Sequence, residues 1–102
     1  MSIVIAPPVI SLSQTNNLTT FTGHSVYIAC SAVGKPSPLV NWFKMIDGER
    51  NKVIDNTEDG ILYLNKLVKK DEGIYICVAS NEAGKSQKDV QVFVNGKFIF
   101  YT

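Results

Sequence analysis

The chain has 102 residues, which is enough for one domain and too few for two. Its 45% hydrophobic and 19% charged residues are ordinary for a soluble globular domain, and no apolar run approaches the roughly 18 residues of a membrane span. The formal net charge of +1 creates no overall field toward nucleic acid or acidic lipid, so neither nucleic-acid binding nor direct membrane insertion is expected.

Short β-type runs separated by turn residues indicate an all-β fold, since no stretch repeats apolar residues at helical spacing with both caps. In one run, Val26, Ile28 and Cys30 share a face, which is typical of a strand with one buried side. Seven or more short strands at this spacing predict a sandwich or a barrel. The predicted strands are 8–12, 18–21, 25–33, 39–45, 50–54, 61–67, 74–80 and 85–94.

Four residues on these strands stand out by type and order. Cys30 and Cys77 fall on the core-facing sides of their strands, and Trp42 faces inward on a strand between them. Tyr75 stands two positions before the second cysteine and follows Asp71. This order is the Cys…Trp…Tyr-x-Cys pattern of immunoglobulin domains.

The sequence resembles the I-set of the immunoglobulin superfamily, as found in adhesion receptors, axon-guidance receptors and sarcomeric filament proteins. The resemblance covers 7–94 and implies a two-sheet antiparallel immunoglobulin-like Greek-key β-sandwich. Segments 1–6 and 95–102 are then expected to be an N-terminal leader or linker and a C-terminal extension or linker to a neighbouring domain. The residues that carry the resemblance are Gly23, Cys30, Gly34-x-Pro36, Val40-x-Trp42-x-Lys44, Leu62-x-Leu64-x-x-Leu67, Asp71-x-Gly73-x-Tyr75-x-Cys77 and Ala79-x-Asn81-x-x-Gly84.

The resemblance also implies which residues hold the two sheets together. A disulfide is expected between Cys30 and Cys77, because facing sheets about 10 Å apart allow such a bond only between two inward positions. The indole of Trp42 is expected beside the sulfur atoms, and Leu64 in the core. On the chain-entropy model, closing so long a loop stabilises the fold by about 4 kcal/mol.

A hydrogen bond from the Tyr75 hydroxyl to the backbone near Asp71 is the second implied feature. It would fix the corner where the chain changes sheets. Family members often pair the aspartate at the Asp71 position with an arginine, for which Arg50 and Lys52 are the nearby candidates.

The inventory of reactive side chains argues against an enzyme. His24 is the single histidine and has no nucleophile arranged around it, so it is expected to be exposed and structural. The acidic pairs Glu58-Asp59 and Asp71-Glu72 are adjacent in sequence, whereas paired acid–base work needs converging side chains. No phosphate-cradling glycine loop or zinc-ligand spacing appears, so no cofactor and no metal site are predicted.

A run of apolar residues is predicted on the outer side of the sheet that contains Trp42. Residues one step from the inward positions point outward, where an antiparallel sheet usually shows polar side chains to water. We interpret this face as a candidate partner surface, for a second copy or another protein. The alternative is that these side chains are covered by their neighbours or by the aromatic tail 95–102. The predicted face consists of Phe43, Met45, Ile76, Val78 and Phe93, with Gln91 among them.

The sequence also predicts where the protein works. Asn17-Leu18-Thr19 is an N-glycosylation sequon, so Asn17 is a candidate modification site. Together with the cysteine pair it favours an extracellular or cell-surface location. We therefore expect a non-catalytic interaction or spacer module of a multi-domain adhesion molecule or receptor. The alternative is an intracellular sarcomeric or cytoskeletal domain with reduced cysteines, acting as a mechanical or scaffold unit in the cytoplasm of muscle.

Overall fold

The computed structural model describes residues 4–14, 16–54 and 59–96. Within these ranges the chain forms strands and one short 3-10 turn at Lys69–Asp71. The aromatic tail beyond residue 96 and the acidic Glu58 lie outside the described residues. The strands are β1 (Ala6–Leu12), β2 (Asn16–Phe21), β3 (Val26–Lys35), β4 (Leu39–Ile46), β5 (Glu49–Ile54), β6 (Ile61–Leu64), β7 (Gly73–Asn81) and β8 (Gly84–Asn95).

The strands form two sheets that pack face to face. One is three-stranded with the order β1-β3-β6, and the other is five-stranded with the order β2-β8-β7-β4-β5. The chain crosses between the sheets after β1, so that β2 pairs in parallel with β8, from Asn16↔Val90 to Phe21↔Asn95. The neighbouring pairs within each sheet are otherwise antiparallel. This arrangement confirms the predicted two-sheet sandwich.

The core lies between the sheets and follows from the alternation of side chains along each strand. Ile28 and Leu62, which are paired in register, are fully buried in the three-stranded sheet. Trp42 lies opposite them in the five-stranded sheet, in register with Cys77. The core cluster consists of Ile10, Ile28, Cys30, Trp42, Leu62, Leu64, Leu67, Tyr75, Cys77, Ala79, Val90, Val92 and Val94.

The strand predicted over 61–67 is shorter in the structure, because β6 ends at Leu64. Lys66 adopts a φ of 46°, which turns the chain out of the sheet. Leu67 is nevertheless 1% exposed, and its backbone bonds to Gly23 and His24 on the β2–β3 turn. The leucine pattern therefore identified core residues correctly but did not show where the strand ends.

Candidate functional site

The disulfide between Cys30 and Cys77 joins the two sheets at the centre of the sandwich. Both cysteines are buried and their Cα atoms are 6.5 Å apart. The predicted pairing is confirmed. Gly60 lies beside it, and its carbonyl oxygen accepts hydrogen bonds from the Trp42 Nε1 atom at 2.9 Å and from the Cys30 amide at 3.0 Å. Gly60 thus satisfies the indole N–H in the core, a role that its residue type does not reveal in the sequence.

Tyr75 fixes the turn that leads into β7. Its side chain is 2% exposed, and its hydroxyl donates to the main-chain carbonyl of Asp71 at 2.5 Å. Burial, with a smaller contribution from the charge of Asp71, raises the pKa of Tyr75 to about 12. The Asp71 carboxylate accepts a hydrogen bond from the Val68 amide at 2.8 Å. Side chain and backbone of Asp71 therefore both hold the same corner.

The cation beside this corner is a lysine rather than Arg50. Lys44 donates to the Lys70 carbonyl oxygen at 2.6 Å, and its Nζ atom lies 5.5 Å from the centroid of the Tyr75 ring. The Arg50 guanidinium instead lies 5.4 Å from the ring centroid of Phe43, on the outer side of the five-stranded sheet. The structure thus gives Arg50 a different neighbour from the Asp71 partner that the family resemblance suggested.

A second set of contacts secures the end of β8. Glu72 Oε1 accepts hydrogen bonds from the Val94 amide at 2.9 Å and from Lys69 Nζ at 3.0 Å. Lys69 also donates to the Val94 carbonyl at 3.1 Å. The hydrogen bond from the Val94 backbone and then that from Lys69 lower the pKa of Glu72 below its ordinary value. The last strand is therefore fastened to the 3-10 turn just before β7.

Asn81 performs the same task at the opposite pole, where β7 ends. Its Nδ2 atom donates to the Ala6 carbonyl at 2.8 Å and to the Pro36 carbonyl at 2.9 Å. Its Oδ1 atom accepts from the amides of Ala83 at 2.9 Å and Gly84 at 3.2 Å. One side chain thus joins the start of β1, the β3–β4 loop and the β7–β8 hairpin. The sequence showed Asn81 only as a turn residue in a family motif.

The predicted apolar face lies on the outer side of the five-stranded sheet, but it is less open than expected. Phe93 is 39% exposed, whereas Ile76 is 7% exposed although it lies outside the core cluster. Ile76 is buried because it sits on the central strand, in register between Phe43 and Asp89. Met45 and Val78, like Phe43, are half-buried. Beside Val78 in register, Asn41 has a buried Oδ1 atom with no hydrogen-bond partner among the described residues.

The outer side of the three-stranded sheet exposes more apolar surface, and sequence reasoning missed it. Val9 and Val33 are cross-strand partners with 64% and 65% of their surface exposed. Tyr27 and Tyr63 are also paired, with ring centroids 6.4 Å apart and exposures of 66% and 56%. The available signal was the one used for the other sheet, since these residues alternate with core residues such as Ile28. Because they lie far apart in sequence, alternation along a single strand does not reveal them as one group.

The chain was compared with families of known proteins, and residues 7–81 match the family model described as Immunoglobulin domain. The chain is an immunoglobulin domain. Its similarity to human immunoglobulin superfamily member 10 is 36% identity over 102 residues, which is 92% of this chain and 4% of that protein. The rat netrin receptor DCC is 36% identical over 95 residues, covering 89% of this chain and 6% of the receptor. Chicken neural cell adhesion molecule 1 is 39% identical over 103 residues, covering 93% and 9%.

Solved structures share the fold of this immunoglobulin domain. A Dscam structure, solved to explain the structural basis for Dscam isoform specificity, superimposes on this domain with a TM-score of 0.77 at 26% identity. The superposition covers 90% of this chain and 25% of that chain. The four N-terminal immunoglobulin domains of Dscam1 isoform 4.44 give a TM-score of 0.79 at 22% identity, over 94% and 27%. The chain therefore spans only a small part of the relatives and structures that it matches.

The remaining predicted sites of the immunoglobulin domain lie on its surface. Asn17 is exposed on β2, the edge strand of the five-stranded sheet, where it lies opposite Gln91 in the parallel register. His24 is exposed, and its ring packs edge-on against Phe21 with centroids 5.8 Å apart. In the described ranges no group of His, Cys, Asp or Glu side chains is arranged to hold a metal ion. Among the same residues no helix is long and apolar enough to cross a membrane.

Proposed function

We propose that this immunoglobulin domain is a non-catalytic protein-interaction or spacer module of a multi-domain adhesion molecule or receptor at the cell surface. The observation that carries the proposal is the buried disulfide between Cys30 and Cys77, because such bonds persist in oxidising, extracellular compartments. Relatives named as a netrin receptor and a neural cell adhesion molecule support it. The small share of each relative that the chain covers fits one unit in a longer array.

The positions of the strand ends support a serial arrangement of domains. The start of β1 is held by Asn81, and the end of β8 is held by Glu72. These two residues bracket β7, whose nine residues span about 30 Å. The chain therefore enters and leaves the sandwich at opposite poles. We propose that 7–94 is the I-set domain, with a leader or linker at 1–6 and an extension or linker at 95–102.

The predicted apolar face remains our proposed docking site for another protein. Phe93 is its accessible member, with 39% of its surface exposed, and Ile74 beside the face is 38% exposed. A sugar chain at Asn17 would border this part of the sheet, because Asn17, Gln91 and Ile74 lie in one row across three strands. A partner would therefore approach from the side of β4 and β7 if Asn17 is modified.

Two measurements test the extracellular proposal: the modification state of the secreted chain, and the stability of the domain after its disulfide is reduced. We expect the chain secreted from a eukaryotic host to carry an N-glycan at Asn17 and no alkylatable thiol, with Thr19→Ala as the unglycosylated control. Reduction should cost about 2–5 kcal/mol and leave the domain largely unfolded at 37 °C. A reduced domain that stays folded at 37 °C would instead support the intracellular scaffold alternative.

A further inference from the structure

Among the described residues, the most open apolar face of a sheet is that of the three-stranded sheet. It consists of Val9, Val33, Tyr27 and Tyr63, and we call it the tyrosine–valine face. Each of these side chains is more than half exposed, whereas Phe93 on the other sheet is 39% exposed. An antiparallel sheet that faces water usually carries polar or charged side chains there. Large apolar groups on an open face indicate a contact surface.

The tyrosine–valine face carries valines at one end, tyrosines at the other and small side chains between them. The two valines pair at one end, and the two tyrosines pair at the other. Between the two ends, Ser11 pairs with Ser31. These side chains are short, so another surface can approach the backbone of the sheet closely there. On β3, Tyr27 and Val33 are about 20 Å apart along the strand, with Cys30 midway between them.

Charge is absent from the outward positions between these two ends, among the described residues of the three strands. Lys35 follows Val33 at the rim, and Asp59 lies at the rim beside β6. The outer side of the five-stranded sheet differs, because Arg50 and Asp89 project there. Two copies that met through the tyrosine–valine face would therefore bury no charged side chain from its interior.

We propose that the tyrosine–valine face binds a second copy of this chain, face to face and with the strands antiparallel. A two-fold axis between the sheets, crossing β3 at Cys30, lays the Tyr27 end of each copy over the Val33 end of the other. Such an interface is self-complementary, since each contact occurs twice. The assignment rests on the proposed function as an interaction module and names its partner.

The size of the face sets the strength of the contact. The strands β1, β3 and β6 have seven, ten and four residues, and each residue covers about 16 Å² of a sheet face. The footprint is therefore roughly 350 Å² per copy, below the roughly 800 Å² per partner of a standard stable interface. A single pair of domains associates weakly. Arrays of such domains would gain avidity, because later contacts become intramolecular.

Sedimentation equilibrium of the chain from about 10 μM to about 1 mM tests the proposal, because this range covers the weak dissociation constants expected of so small an interface. We expect a monomer–dimer equilibrium in the wild type. Val33→Glu should weaken it at least tenfold, because a carboxylate would be buried against a tyrosine ring. Phe93→Glu, the matched variant on the other sheet, should change the dissociation constant by less than about twofold.

A complementary pair of variants tests the antiparallel geometry and separates it from misfolding. Tyr27→Lys alone should also weaken association, whereas an equimolar mixture with Val33→Glu should associate, since one half of the interface is native and the other pairs Glu with Lys. Circular dichroism should show each variant folded. A wild type that is monomeric at about 1 mM, or a Val33→Glu variant that associates like the wild type, would overturn the proposal. Neither result bears on secretion and disulfide formation, which test the proposed function separately.

Discussion

The hydroxyl of Tyr75 donates a hydrogen bond of 2.5 Å to the main-chain carbonyl oxygen of Asp71, four residues earlier in the chain. The phenol ring is almost completely buried, and the ammonium group of Lys44 lies 5.5 Å from its centroid. The bond therefore joins the core of the sandwich to the turn at which the chain enters β7. Its loss would leave the Asp71 carbonyl without this buried donor.

Tyr75→Phe removes this hydrogen bond and keeps the ring. We expect the free energy of unfolding to fall by about 1–3 kcal/mol, because a partly buried carbonyl loses its partner. Chemical denaturation at neutral pH measures the change as a shift of the midpoint. Tyr63→Phe, on an exposed side chain, is the control and should have little effect. Equal midpoints for Tyr75→Phe and the wild type would show that the bond does not stabilise the corner.

The raised pKa of Tyr75 predicts a stability change at high pH. The folded domain holds this phenol neutral to about pH 12, whereas its ordinary pKa is 10.0. The unfolded chain therefore loses the proton first, and the stabilising contribution is complete below pH 10 and lost as the pH rises to 12. We expect the stability difference between the wild type and Tyr75→Phe to shrink across this range. A difference that stays constant with pH would contradict the burial of the ionisable hydroxyl.

Gly60→Ala should be one of the most damaging small substitutions. Gly60 has a φ of 67°, and a Cβ atom at this position would overlap the carbonyl oxygen of Cys30. Gly48 has a φ of 80° but open space around it, so Gly48→Ala isolates the backbone strain. We expect Gly48→Ala to lower the free energy of unfolding by about 1–2 kcal/mol. Gly60→Ala should lower it by about 3 kcal/mol or more, since the clash also displaces the Gly60 carbonyl oxygen that accepts the hydrogen bond from Trp42. Similar thermal midpoints for both variants would refute the clash.

The contacts of Asn81 predict that the stability loss caused by Asn81→Asp depends on pH. Asn81→Asp keeps the acceptor for the Ala83 and Gly84 amides but places a carboxylate against the carbonyls of Ala6 and Pro36. We expect a loss of about 1–3 kcal/mol at neutral pH. The loss should diminish as the pH falls through about 4, where a protonated carboxyl can again donate.

The matched control for the Asn81 variant is Asn65→Asp, because the Asn65 side chain is exposed. The measured quantity is the free energy of unfolding of each variant relative to the wild type at each pH. The control should show little loss at neutral pH. A loss for Asn81→Asp that stays the same at low pH would show that the two donor contacts contribute little.

The sequence predicted the fold well, because its strongest signals are local or belong to a well-separated pattern. Alternation identified the buried side of β3, and the cysteine pair with Trp42 identified the sandwich. It predicted less well where contacts depend on distant segments. The roles of Gly60 and Asn81 come from carbonyl oxygens and amides brought together by the fold, and backbone groups carry no signature in a sequence.

Exposure was also beyond sequence reasoning. Parity assigned Ile76 correctly to the outer side of its sheet, but its burial depends on the side chains that flank it on β4 and β8. Conversely, Tyr27 and Tyr63 are distant in sequence, and only the pairing of β3 with β6 brings their rings together. Which face of a sheet stays open is set by cross-strand neighbours, so it follows from register rather than from periodicity.

The parallel pairing of β2 with β8 has a mechanical consequence. Tension applied along the long axis would pull the start of β1 and the end of β8 toward opposite poles. The hydrogen bonds from Asn16↔Val90 to Phe21↔Asn95 then lie across the direction of pulling and share the load, so they must break together rather than one at a time. Extension along this direction therefore meets the combined resistance of the bonds between β2 and β8.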